Sequence, residues 1–340
     1  MKKTICIILA LALFVCAFAA CNKKGPEATG TTAPADAAAT APDGKKLSVV
    51  TTIFPEYDWV RNISGDKLDG IDLTLLMDNG ADLHSYQPTF DDIMKVSECD
   101  LFIYVGGESD KWVDDILKST KNDKMIALSL LEALGDSVKE EETKEGMEAE
   151  EEEEGDEEGP EYDEHVWLSL KNSAALCNII AAEMGKIDAA NAQTYKANAD
   201  AYIAQLNELD AEYRAAVDGA SVKTLLFADR FPFRYLVDDY GLDYYAAFSG
   251  CSAEAEASFE TISFLSKKVD ELGLKAIMQI ETADGSIAKT VKSNTKTRDQ
   301  QILTINSIQS VSAEDVADGA SYLEMMRENL TVLKEALGKY

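Results

Sequence analysis

Short apolar runs rich in β-branched residues punctuate the chain at 47–53, 71–77, 101–105 and 125–130, and again at 224–228, 244–248, 276–280 and 302–305. Stretches with helical spacing separate them. Apolar runs of this length predict strands covered on both faces, and such strands alternating with helices imply largely parallel sheets. The expected fold is α/β with two βα lobes, the first over 47–187 and the second over 219–340. Between the two sets, Tyr195, Ala199, Tyr202, Leu206, Leu209, Tyr213 and Val217 recur at steps of three or four, marking one face of a helix. No Gly or Pro interrupts 188–218, so a single rigid helix of roughly 45 Å, at about 1.5 Å per residue, is expected to join the lobes. A ligand is expected in the cleft between them.

The flanks of this pattern carry a different signal. Lys2 and Lys3 precede an apolar stretch over 5–18 that ends in Phe18-Ala19-Ala20-Cys21. That layout is a secretory signal over 1–20, too short to span a bilayer. A cysteine after two small residues resembles a bacterial lipobox, which implies lipidation at Cys21 and anchoring at the extracytoplasmic face of the cell membrane. Residues 22–46 hold no large apolar side chain apart from the stems of their lysines, as suits a flexible tether. Sixteen Asp or Glu residues crowd 140–164, so 139–164 is expected to be a disordered surface insertion. The formal net charge of -30 argues against nucleic acid and favours cationic partners.

Candidate chemistry is sparse. Of six cysteines, Cys99, Cys177 and Cys251 lie beyond the leader and the lipobox, spread singly with no paired metal knuckle, and are expected to be small core residues. The only histidines are His84 and His165, each downstream of a strand in the first lobe and flanked by turn and acidic residues. In α/β sheets that is the crevice where ligands bind. A neutral imidazole suits zinc or manganese, and two would need further donors. Spacing alone equally allows hydrogen-bonded structural histidines.

The stretch Gly80-Ala81-Asp82-Leu83-His84-Ser85-Tyr86-Gln87-Pro88-Thr89 resembles a motif of the solute-binding proteins of zinc and manganese ABC importers. Asp163-Glu164-His165-Val166-Trp167-Leu168-Ser169-Leu170-Lys171-Asn172 is similar to their second histidine motif, and 49–55 and 322–330 also match, so the resemblance spans about 47–337. It implies two lobes joined by a long helix, a transported zinc or manganese ion held by His84 and His165, and an ABC permease with its ATPase as partners. The family's acidic or His-rich insertion falls before the second motif. Here it reads either as a low-affinity cation collector or as a solvated loop.

The second lobe departs from the pattern. Aligning Phe233, Tyr235 and Tyr240-Gly241-Leu242 with the family places Arg230 in a ligand slot, and a guanidinium offers no lone pair. Asp229, one residue earlier, is the substitute candidate, with Arg230 orienting a carboxylate or an anion. The family's fourth donor falls in 303–309, where Asn306 and Gln309 are poor zinc donors. Glu254, Glu256 and Glu281 are the remaining carboxylates near the expected cleft, and Glu281 is taken as the further metal candidate. An alternative reading keeps the fold but holds an anionic or chelated ligand through Arg230. An enzymatic reading finds no nucleophile elbow, HExxH or phosphate loop.

Overall fold

All eight apolar runs form strands, gathered into two four-stranded parallel sheets. The computed structural model describes residues 45–120, 122–148, 161–252 and 256–338. The leader, Cys21, the tether to residue 44, the acidic core at 149–160 and Glu254 lie outside the described residues. In the first lobe β1 (Leu47–Thr51), β2 (Ile71–Leu75), β3 (Leu101–Tyr104) and β4 (Ile126–Ser129) lie in the order β2-β1-β3-β4. They alternate with α1 (Phe54–Ser64), α2 (Phe90–Glu98), α3 (Lys111–Ser119) and α4 (Leu130–Leu134). The second lobe repeats the order, β6-β5-β7-β8, with β5 (Thr224–Arg230), β6 (Asp243–Phe248), β7 (Ala276–Ile280) and β8 (Gln301–Ile305). Among the described residues no helix is long and apolar enough to cross a membrane.

Two long helices, α5 (Leu170–Ile187) and α6 (Ala192–Asp218), separate the sheets. The strut therefore begins at Ala192 rather than at residue 188, and its 27 residues span about 40 Å. Asp188 causes the difference. Its carboxylate accepts from Asn191 Nδ2 at 2.7 Å and from Tyr195 Oη at 2.8 Å, closing a turn where the periodicity alone continued a helix. The face marked from Tyr195 to Val217 is buried as its spacing predicts. It does more than join the lobes: one apolar cluster runs from Val49 and Trp59 through Tyr202, Leu206 and Leu209 to Phe233, Met278 and Leu330. In the second half of the chain α7 (Arg234–Tyr240) lies between β5 and β6, and α8 (Phe259–Leu272), α9 (Ser286–Asn294), α10 (Ala313–Ala317) and α11 (Tyr322–Ala336) follow β6.

The expected disordered insertion is anchored at both ends. Glu140 and Tyr162 form an antiparallel bridge, and Asp163 N donates to Lys139 O at 2.9 Å. From there the chain crosses onto the second lobe: Glu142 accepts from Tyr244 Oη at 3.2 Å and lies 3.4 Å from Arg234, and Glu148 N donates to Ala247 O at 2.9 Å. Asp163 and Glu164 are buried. Composition missed this strap because the donors that claim its carboxylates lie about a hundred residues away in sequence.

Candidate metal site

The carboxyl ends of strands from both sheets converge on one seam, the position expected of a ligand in parallel α/β folds. On the first-lobe side, Asp82 caps a 3-10 turn over Leu83–Ser85 by accepting from His84 N at 3.1 Å, and buried Leu83 pins that turn into the core. His165 opens a second such turn, Val166–Leu168, whose three side chains are all buried. Asp163 Oδ1 takes both His165 N at 2.9 Å and His165 Nδ1 at 3.1 Å. Trp167 Nε1 donates to Ser307 O at 2.8 Å, tying this turn to the second lobe.

These two turns bring His84 Nε2 within 3.1 Å of His165 Nε2. Each ring is held from behind. His84 Nδ1 lies 2.9 Å from Ser109 Oγ and 3.5 Å from Glu164 Oε2, and Glu164 Oε1 accepts from Ser109 N at 2.9 Å. Acceptors at both Nδ1 atoms hold the ring protons there and leave the facing Nε2 atoms as lone-pair donors. Burial, then the charge of His165, pulls His84 down to about 3, so His84 is neutral at ordinary pH. For His165 burial also opposes charge, but Asp163, Glu164 and Glu141 outweigh it and raise its pKa. At this distance the two Nε2 atoms share a proton in a hydrogen bond, and a cation replacing that proton would be held by both lone pairs. A tetrahedral zinc with Zn–N bonds of about 2.0–2.1 Å sets two nitrogens roughly 3.3 Å apart, close to the spacing found here.

The other expected residues stand elsewhere. Asp229 lies within an irregularity of β5 between Phe227 and Arg230, beyond the last β5–β7 pairing at Phe227. Its carboxylate replaces the missing rung, accepting from Ile280 N at 3.0 Å and Arg230 N at 2.8 Å. Glu281 accepts from Ser307 N at 2.8 Å and Ser307 Oγ at 2.6 Å, bracing the chain after β8. Among the described residues neither joins the cluster formed by the two histidines. Arg230 reaches across the seam, its guanidinium 2.6 Å from Asp82 Oδ2, which also accepts from Gln309 Nε2 at 2.9 Å. Burial would raise Asp82, but Arg230 more than offsets it and holds the carboxyl below its usual range. Arg230 thus orients a carboxylate of the chain itself, leaving the anionic-ligand alternative without support in this geometry. A cavity of about 450 Å³ beside the seam is lined by Asp82, His84 and Ser85 from one lobe and by Asp229, Arg230 and Ala283 from the other.

The histidine cluster has a third member that the sequence analysis assigned to the core. The donor atoms of His84, His165 and Cys251 all lie within 4.8 Å of one another. Cys251 sits in the loop after β6, next to Gly250, where a Cβ would come within 2.9 Å of Phe231 O and 3.2 Å of His165 Cε1. Only glycine lets the loop approach the imidazole so closely. No spacing signal identifies Cys251; its proximity to the pair comes entirely from tertiary structure.

Two parallel-sheet lobes meeting over paired, carboxylate-backed imidazoles have the architecture of a two-lobed solute-binding protein. Residues 49–336 match the family model described as zinc-uptake complex component A, periplasmic, and the chain belongs to that family. It is 32% identical over 296 residues to the zinc-binding protein AdcA of Streptococcus pyogenes serotype M3, covering 85% of this chain and 56% of the relative. It is 30% identical to the high-affinity zinc uptake system protein ZnuA of Bacillus subtilis, covering 86% of this chain and 88% of the relative. The Zn(II)-bound ZnuA-like domain of Streptococcus pneumoniae AdcA superposes with a TM-score of 0.67 at 27% identity, over 86% of this chain and all of that domain. The chain spans about half the length of the streptococcal relatives it matches.

Proposed function

We propose that this protein captures a divalent transition metal ion, zinc or manganese, at the seam between its lobes and delivers it to an ABC permease and its ATPase. His84 and His165 are the ligands in this reading, Arg230 and Asp82 latch the lobes, and Asp229 and Glu281 brace the second lobe. Lipidation at Cys21 would hold the protein at the extracytoplasmic face of the membrane. The observation that carries the reading is the 3.1 Å approach of two Nε2 atoms, each ring backed at Nδ1 by acidic or hydroxyl groups. Surface lone pairs are rarely organised so; outer acceptors of this kind raise ligand basicity and fix ring orientation.

The test is titration of the metal-stripped protein with zinc and with manganese, following heat and thermal melting together. One tight equivalent with a marked rise in melting temperature is expected, lost in His84→Ala. Weak binding at many sites, unchanged in that variant, would transfer the binding to the acidic segment and overturn the assignment.

A further inference from the structure

We propose that Cys251 supplies a thiolate as the third ligand, making the site a two-nitrogen, one-sulfur set selective for thiophilic ions. This rests on the paired-histidine reading and narrows its cargo to zinc over manganese. The geometry leads there from three sides. First, Cys251 Sγ shares a single 4.8 Å sphere with the two imidazole donors, and a tetrahedral zinc with bonds of about 2.3 Å to sulfur and 2.0–2.1 Å to nitrogen needs an S···N edge of roughly 3.6 Å. Second, the loop is held in place: Glu141 Oε1 accepts from Cys251 N at 3.0 Å, and Gly250 permits the close approach to His165. Third, among the described residues neither Asp229 nor Glu281 joins the cluster, their carboxylates being held by Ile280 and Ser307. Cys251 is a free cysteine, as are the buried Cys99 and Cys177.

Metal binding forms one S–metal bond and releases the thiol proton to solvent. Three protein donors leave a fourth position for water, the arrangement of zinc sites that exchange a ligand rather than of closed structural ones. Softness then sets the preference: a thiolate gains most with zinc and little with manganese, which favours oxygen donors. The two histidines and Asp163 belong to the first lobe and Cys251 to the second, so the ion itself becomes a cross-lobe tie.

Cobalt(II) is the probe. One equivalent added to the metal-stripped full chain is expected to give the near-ultraviolet absorption of thiolate-to-cobalt charge transfer, absent from Cys251→Ser. Zinc affinity should fall about tenfold or more in that variant while manganese affinity shifts by less than about twofold, so the ratio between the metals collapses. Should Cys251→Ser fold poorly, the unaltered protein still decides: one equivalent of zinc should shield Cys251 from alkylation. A wild-type cobalt complex without the charge-transfer band, or zinc binding equal in both proteins with Cys251 still alkylated, would overturn the sulfur ligand. Loss of all metal binding in the wild type, or full affinity in His84→Ala, would instead overturn the histidine reading beneath it.

Discussion

The two faces of the seam are built to opposite ends. On the first lobe, acidic groups stand behind the histidines and point the donor atoms outward into the seam. On the second, the polar side chains at the strand ends are consumed by their own fold: Asp229 by Ile280 N, Glu281 by Ser307, Arg230 by Asp82 across the gap. Asp229 has each of its two oxygens held by an amide, from Ile280 and Arg230, and Glu281 has each of its own held by Ser307, so both carboxylates are oriented by their own lobe. Residue type at the right end of the right strand is therefore necessary without being sufficient.

The largest effect that would sharpen this contrast is at the histidines. His84→Ala or His165→Ala should weaken zinc binding at least a hundredfold, roughly 2.8 kcal/mol, measured by competition with a chromophoric chelator. Next comes the group behind the ring. Asp163→Asn keeps an acceptor for His165 N but loses the charge at Nδ1, and calorimetry should register about 10- to 100-fold weaker binding with the melting point of the apo protein nearly kept. The second-lobe carboxylates should behave in reverse. Asp229→Ala and Glu281→Ala each leave buried donors unmet and should cost about 1–3 kcal/mol in denaturant unfolding, with zinc affinity within about twofold of wild type. A tenfold loss of affinity at Asp229 alone would break the contrast and restore it as a donor.

The remaining effect, on stability rather than affinity, lies behind the first lobe's site. Burial, reinforced by Glu164 and only partly offset by the amide of Gly106, pushes Asp110 up to about 7 from an ordinary value of 3.8. A folded value above the unfolded one means the protonated form favours the fold, so this stabilisation is complete below about pH 4 and fades as pH rises through 7. Melting curves across that window should fall less steeply with pH in Asp110→Asn than in wild type. Parallel slopes would show that Asp110 titrates alike in both states.

Much of this was legible beforehand, for identifiable reasons. The eight strands are read from short apolar runs, although only the more central strands such as β3 and β7 are mostly buried while β2, β4 and β8 at the sheet edges stay partly exposed, and the buried face of α6 is read from its spacing. The two histidines stand out because the chain has no others. Local side-chain chemistry defeated the helix start, where Asp188 closes a turn that no periodicity reveals. Distant partners defeated the rest: Glu142 meets Tyr244, Asp82 meets Arg230 and Gln309, and Cys251 meets both imidazoles only after the lobes close. Chemistry alone argues against Arg230 as a donor, while the carboxylate it pairs with, Asp82, is visible only in three dimensions.

The apolar cluster that threads through α6 has a consequence for how the molecule comes apart. Because Leu206 and Leu209 belong to the same packed interior as Trp59 on one side and Met278 on the other, the largest core is common to both lobes, and each lobe keeps only a smaller cluster of its own, around Phe102 in the first and Leu265 in the second. Heating should yield one cooperative transition whose calorimetric and van't Hoff enthalpies agree, instead of two. An ion seated at the seam then raises the melting point of the entire molecule, so occupancy is reported by residues far from any ligand atom.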